Sequence, residues 1–524
     1  MGIVFQSICC FLILFMTCIN GFRILGIFPL TAKSHFTFHN AIMRSLMEAG
    51  HEVTVVTSFP DQAALENYTS IIDTSDHEFF YVGQPFDFLA TQNVFSNLDN
   101  IKETEALFCY KIMNHPQIQA IFTSKEKLYD VLFVELLLLY KCFLPIAEKL
   151  NIPVIGTLSV KQWQDADHAI GNINHPAYIP YEGIAHHWKL DNIYGRLFNI
   201  WNYMAVILYK QFAVRPFLQK FHQDHSKQLS SLGSYMDMGP ALNFYNNHPC
   251  FISRPLTPNA IEVGGIHIKP AKPLPKLIEK FIDDAIHGTI LFSMGSLVKA
   301  SSLPPKTLKA FREAFAEIPQ RVIWKFEDRM ENLSSNVMVL DWLPQRDILE
   351  HKNVIAFISH CGQGGVNEAV YTATPIVACP IFNDQIINAD ILQKKEVAVN
   401  LVDVVNISKK DILRALNSIV NDTKYYNNMK KFSRIFKDRP MTPQQSVVYW
   451  TEYVVRYDGA PHLKSAAMQL DWHQYLLLDI AIFLIFILII FSFVVYCIIK
   501  FLTRIYSISI SKIFNVQYCK NKIL

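Results

Sequence analysis

The sequence predicts two doubly wound α/β domains in tandem followed by one C-terminal transmembrane helix, and three observations carry that reading. The chain has 524 residues, beyond the size at which a single hydrophobic core stops growing. Short apolar runs alternate with helix-period segments in both halves, on either side of a proline-rich stretch, "HIKPAKPLPK" (267–276), the composition of an interdomain linker. The uncharged run from Ile480 to Ile499 covers the ~30 Å hydrocarbon core of a bilayer at ~1.5 Å per residue.

Taken in order, the first 21 residues read as a signal peptide, with an apolar stretch from Ile8 to Met16 too short to span a membrane. No Lys or Arg precedes that stretch, so a buried first strand is the alternative. "RILGIFP" (23–29) then opens a βαβ unit: a polar turn "TAKSHF", a helix with Ile42, Met43, Leu46 and Met47 on one face, Gly50 as its C-cap, and a second strand "VTVVTS". "DVLFVE" (130–135) and "PVIGTLS" (153–159) repeat the unit around a helical "LPIAEKLN". After the linker come "GTILFSMGS", "RVIWKF", "VMVLDWLP", "VIAFISH" and "TPIVACP", short apolar strands that end in Gly, Ser or His where helices begin. The divisions expected are 22–265 and 266–455 for the two domains, 456–475 as a juxtamembrane segment, 476–499 as the span and 500–524 as a tail. That tail holds five cations and no acid, which places it in the cytosol and the body in the lumen. Its last residues, "KNKIL", resemble a dilysine retrieval signal of endoplasmic reticulum membrane proteins; lysines beside anionic lipid are the plainer reading. The sequons at Asn67, Asn332, Asn406 and Asn421 agree with a luminal body without establishing it.

Several function classes fall away. A net charge of +3 with dispersed basic residues gives no footprint for nucleic acid. The luminal cysteines form no CxxC, so neither a disulfide scaffold nor a zinc site is indicated. "SHCGQGG" lacks the GK[ST] of a P-loop, and Asn367 stands where GxGxxG needs its third glycine.

In doubly wound sheets ligands bind beyond the strand C-termini. There the second half offers Ser293 and Ser296, Trp342 with Gln345, Ser359 and His360, then Asp384 and Gln385: hydroxyls, amides and an indole, tools for a nucleotide with phosphates and a polyol. The order "DWLPQRDILEH…AFISHCGQGGVNEAVYTATPIVACPIFNDQ" resembles the signature of the UDP-glycosyltransferase family, in its membrane-bound glucuronosyltransferase-like branch, with an invertebrate member among the readings. "RPLTPNAIEVGGIHIKPAKPLPK" and "DWHQYLLLD" extend the likeness.

The resemblance implies a GT-B architecture, two Rossmann-like domains facing a cleft. It implies that Trp342 stacks on uracil with Gln345 nearby, and that Ser359, His360, Gly362 and Gly364 form the diphosphate site at a helix N-terminus, where free N–H groups favour an anion. Glu368 takes the place of the ribose-binding glutamate, Asp384 and Gln385 that of the pair gripping sugar hydroxyls, and Arg254 that of an arginine near phosphate. His35 takes the place of the catalytic base, an imidazole whose ordinary pKa near ~6.5 suits proton abstraction. Glu135 takes that of its acidic partner, usually an aspartate. Two departures stand out: the extra methylene of Glu135, and Gln363-Gly364-Gly365 where a polar side chain usually assists the phosphate. The second predicts weaker donor binding, with backbone amides carrying more of the load. The expected chemistry is inverting transfer of a hexose or hexuronate from UDP-glucose or UDP-glucuronate to hydroxyls of small lipophilic acceptors, with no metal or other cofactor. A catalytically silent, membrane-anchored sugar-nucleotide or lipophile-binding protein is the rival. The donor sugar, the acceptor and any homo-oligomer stay open.

Overall fold

The computed structural model describes residues 21–59, 66–72, 94–137, 140–161, 163–181, 190–225, 239–401 and 403–520. The signal-peptide expectation and the final four residues of "KNKIL" lie outside them.

The first half builds a seven-stranded sheet in the order β3-β2-β1-β4-β5-β6-β7, with β1 Arg23–Phe28, β2 Glu52–Thr57, β3 Tyr68–Ile72, β4 Val131–Glu135, β5 Val154–Leu158, β6 Leu242–Tyr245 and β7 Ala260–Glu262. Every pairing is parallel, and Ile24 lies beside both Val53 and Val131. Parallel strands covered on both faces need apolar side chains in both directions. One face of β1 accordingly packs Ile24 and Phe28 under Phe38, Ile42 and Leu46 of helix Lys33–Glu48. The other sets Leu25 and Ile27 in the cluster that holds Phe108, Ile112 and Phe143.

A stretch exposed except at Leu274, 269–275, leads into the second sheet. Its order is β10-β9-β8-β11-β12-β13, again all parallel, from β8 Thr289–Ser293, β9 Arg321–Lys325, β10 Val337–Leu340, β11 Val354–Ser359, β12 Ile376–Ala378 and β13 Ala398–Asn400. Trp324 and Phe292 stack at 4.9 Å between ring centres and anchor one face. Helix Pro443–Arg456 falls within the span expected for the second domain, yet its Val447 and Val454 pack into the core of the first sheet.

Three features depart from the sequence reading. "TAKSHF" is no turn: helix starts at Lys33, which puts His35 in its first turn. Nothing in the stretch breaks a helix, and Phe36 already donates to the Ala32 carbonyl at 3.0 Å. Cys109 and Cys142 are joined by a disulfide, a pairing the spacing could not supply. The second compact unit, Ser465–Leu524, holds helix Leu478–Lys520, of which Leu478–Lys512 is long and apolar enough to cross a membrane.

Candidate functional site

A cavity of about 420 Å³ opens where the C-terminal ends of the two sheets meet. Lys33, Ser34 and His35 follow β1 and Ser159 follows β5; from the second sheet come Ser293 and Gly295 to Leu297, Trp342 to Asp347, His360, Gly362 to Gly365 with Glu368, and Phe382 to Gln385. Of the residues expected at the site, His35, Ser293, Ser296, Trp342, Gln345, His360, Gly362, Gly364, Glu368, Asp384 and Gln385 all line this cavity.

On the side of the first sheet, His35 Nδ1 lies 3.0 Å from Glu135 Oε1 and 2.9 Å from the Ser159 hydroxyl. The longer side chain of Glu135 reaches the imidazole from the end of β4. A second imidazole meets the same oxygen: His39, one helical turn on, brings Nε2 to 3.2 Å of Oε1 while its Nδ1 lies 3.0 Å from the Thr157 hydroxyl. Burial alone would push the Glu135 carboxyl up; the facing His39 and His35 outweigh it and hold the group well below the usual carboxylate range.

The "SHCGQGG" turn is shaped by sterics. His360 sits between two glycines: a Cβ at Gly295 would come within 2.5 Å of its ring, and one at Gly362 within 2.5 Å of its Nε2. Cys361, between His360 and Gly362, takes φ 63°, the left-handed region that a non-glycine residue enters at a cost of about 1–3 kcal/mol. Burial, aided by Lys325, lowers His360 to about 4, so it is neutral near pH 7. Gly362 caps helix Gln363–Thr372 without any side-chain hydrogen bond, which leaves the first amides available to an anion. Lys325, at the end of β9, is the cation beside this turn; it lines the cavity and pairs with Glu327 at 2.6 Å.

Further along that helix, Glu368 accepts from Gln345 Nε2 at 2.7 Å, and burial raises its carboxyl to about 7. The Gln385 amide oxygen accepts from the Ile381 and Phe382 N–H groups, which fixes its NH₂ as the free end. Asp384 is raised by burial, with Lys161 opposing, and accepts from Asn388 at 3.1 Å.

Two expected residues are placed elsewhere. Arg254 is not in the cavity lining: its guanidinium is buried against Asp167, with Nη1 at 2.7 Å and Nη2 at 3.2 Å from the two carboxylate oxygens, and lies 6.0 Å from the Tyr245 ring. A buried arginine facing its own carboxylate is a structural pair. Ser359 is fully buried and accepts from the Cys361 N–H at 3.1 Å, so its hydroxyl shapes the turn from behind.

Sequence reasoning missed His39, Lys33, Lys325 and His267. His39 carried a signal, an i+4 offset from His35 on a helix, hidden by reading "TAKSHF" as a turn. Lys33 Nζ lies 3.9 Å from the Trp342 ring centre, across the cleft. His267, from the expected linker, is lowered to about 4 by burial and stands 3.8 Å from Glu368 Oε1.

A family model described as "UDP-glucoronosyl and UDP-glucosyl transferase" matches residues 25–512. The chain is 38% identical to "UDP-glucosyltransferase 2" of Dactylopius coccus, over 94% of this chain and 95% of that one. It is 32% identical to human "UDP-glucuronosyltransferase 2B7", over 86% and 88%. Among solved structures, spinosyn forosaminyltransferase SpnP superposes with a TM-score of 0.56 at 16% identity, over 83% of this chain and 100% of that one. The calicheamicin glycosyltransferase CalG4 gives 0.54 at 16%, over 84% and 100%. Both likenesses are of fold, two Rossmann-type sheets of the GT-B kind.

Proposed function

The chain belongs to the UDP-glucuronosyl and UDP-glucosyl transferase family and is a UDP-glycosyltransferase, and from that premise we propose that it glycosylates hydroxyls of small lipophilic acceptors with inversion, His35 acting as base. The observation that carries the reading is the His35–Glu135 contact at 3.0 Å on the wall of the cavity that the glycine turn also lines. The acceptor hydroxyl attacks the anomeric carbon of the UDP-sugar while His35 takes its proton, and Glu135 stabilises the imidazolium that results. The C–O bond to the diphosphate breaks on the opposite face. UDP leaves with its charge met by the amides of 363–365 and by Lys325, and the step calls on no metal. Trp342, Gln345 and Glu368 hold the nucleoside; Asp384 and the Gln385 NH₂ hold sugar hydroxyls. Apolar lining from Leu98, Ile101, Leu137 and Trp163 favours apolar acceptors.

For the donor, the relative at 38% identity bears the name of a glucosyltransferase, which favours UDP-glucose over UDP-glucuronate. The apolar helix fits membrane anchoring. Exposed positions for all four sequon asparagines support a luminal body, as does the Cys109–Cys142 disulfide, since such bonds persist in oxidising compartments. The basic tail supports residence in the endoplasmic reticulum membrane with that tail in the cytosol. The test is label transfer from radiolabelled UDP-glucose and UDP-glucuronate to a panel of phenols in membranes containing the protein. The expected result is transfer from UDP-glucose that His35→Ala abolishes. Transfer that survives His35→Ala overturns the base, and specific donor binding without transfer returns the silent binding protein.

A further inference from the structure

His267 begins the stretch that the sequence presents as a linker, yet the chain grips it from both sides. Its neighbour Ile266 is buried in a core cluster of the first sheet, and Ile268 packs against one of the second. The turn before it is fixed as well. Gly265 takes φ 83°, a Cβ there would come within 2.9 Å of the Phe436 ring, and the Ile266 carbonyl accepts from Gln444 Nε2 at 3.0 Å. Held in this way the imidazole stays inside: it lines the cavity with its side chain only 7% exposed. Neither ring nitrogen makes a hydrogen bond of ordinary geometry among the described residues; the polar groups beside it are the Gly364 backbone and Glu368. Leaving a buried polar group so costs about 1–3 kcal/mol, which native structures keep where the group has a further role.

The geometry selects the chemistry of the partner. His267 Nε2 stands 3.8 Å from Glu368 Oε1, while the other oxygen of that carboxyl accepts from Gln345. The separation is too long for a direct hydrogen bond and suits one oxygen placed about 2.8 Å from both atoms. Burial keeps His267 neutral near pH 7, so it offers an N–H without a charge. A phosphate there would face the Glu368 carboxyl. A metal ion would find too few ligands, since no group of three His, Cys, Asp or Glu side chains able to hold one occurs among the described residues. A hydroxyl meets both partners: its oxygen accepts from the imidazole N–H and its proton is donated to the carboxylate. On the UDP-sugar reading of this cavity, on which the inference rests, we propose that His267 and Glu368 together bind one ribose hydroxyl of the donor, and that His267 makes the site selective for a ribonucleotide over its deoxy counterparts. Position agrees. His267 stands between Gly364, at the diphosphate turn, and Glu368, one turn further along the same helix, and ribose is the part of the nucleotide that joins phosphate to base. A site whose buried polar group is left unpaired rejects a ligand lacking the hydroxyl far more strongly than an apolar pocket rejects a change of size.

The experiment is titration calorimetry of the detergent-solubilised full chain with UDP, 2′-deoxy-UDP and 3′-deoxy-UDP, on the wild type, His267→Ala and His267→Gln. His267→Ala is expected to raise the Kd for UDP roughly five- to twenty-fold while the Kd for one of the two deoxy analogues stays near its wild-type value. His267→Gln, which keeps an N–H, recovers most of the loss. An unchanged Kd for UDP in His267→Ala overturns the inference. Equal weakening of UDP and both analogues also overturns it, because a residue that only packs the fold does not distinguish ligands by one hydroxyl. A wild-type chain that binds none of the three overturns the UDP-sugar reading of the cavity itself, and the inference with it.

Discussion

Glu135 Oε1 faces two imidazoles, and the consequence belongs to single residues. His39 Nε2 stands 3.2 Å from that carboxylate and holds the glutamate against which His35 works; His39 is a positioning residue. A polar contact to a buried charged group is worth about 1.5–3 kcal/mol, so His39→Phe, which removes this 3.2 Å contact, is expected to lower kcat roughly ten- to hundred-fold while donor KM stays put. His39→Gln, which keeps a donor, recovers most of the loss; equal kcat in both variants removes His39 from the machinery. Glu368 makes a prediction in pH. Its folded pKa of about 7 stands above the ordinary glutamate value of 4.5, so between those values the native state holds a proton that the unfolded chain has released, and stability falls as pH rises. Glu368→Gln removes that slope: its gain over wild type is near zero at pH 4 and largest above pH 7, at most about 3 kcal/mol, read from thermal unfolding. The same substitution raises donor KM if the carboxylate holds the ribose. Residues like these were legible in part. Motif order singled out His35, Trp342 and Glu368, which share the cavity, whereas the pairing of Arg254 with Asp167 was not readable, because nothing in the local sequence points to a carboxylate 87 positions away.

At the scale of elements, the strand-end turns explain their own glycines unevenly. Gly362 and Gly295 are required by the His360 ring; at Gly364 an added Cβ meets nothing nearer than His267 Nε2 at 4.0 Å. Gly362→Ala is therefore expected to cost about 1–3 kcal/mol in overpacking and to abolish donor binding. Gly364→Asn should fold and hold or lower donor KM, as measured by initial rates over a UDP-glucose series. A collapse of activity in Gly364→Asn would mean that substrate needs the open space. The strongly apolar strands β1, β4, β5, β8, β9, β11 and β12 were readable as runs bounded by turns. β6, the four-residue "LNFY", was not, because strands of that length carry too little pattern and owe their state to neighbours in the sheet. The attachment of helix Pro443–Arg456 to the first sheet escaped for the same reason: amphipathic spacing says that a helix buries one face, never which sheet receives it.

In the catalytic body, three sets of contacts among the described residues bear on how the two sheets meet across the cleft. Asn367 Nδ2 donates to Asn246 Oδ1 at 2.8 Å, and Asn246 in turn donates to the Ser159 carbonyl beside the base. Lys161 Nζ donates to Asn388 Oδ1 at 2.5 Å, next to Asp384. Both sets are buried and leave the donor site clear. The third, Lys33 Nζ over the Trp342 ring at 3.9 Å, is different, because Trp342 is 55% exposed and its ring is the surface on which uracil is proposed to stack. An ammonium and a base cannot share one ring face at that separation, so the donor must displace Lys33 or take the opposite face. An exposed cation–π contact is worth about 0.5–1 kcal/mol. If displacement is required, Lys33→Ala lowers the Kd for UDP by roughly two- to five-fold, and Lys33→Arg, which keeps a cation on the ring, does not. Titration calorimetry with UDP on the three proteins decides the matter. Weaker UDP binding by Lys33→Ala would turn the lysine from a latch that the nucleotide opens into a cation that the nucleotide contacts.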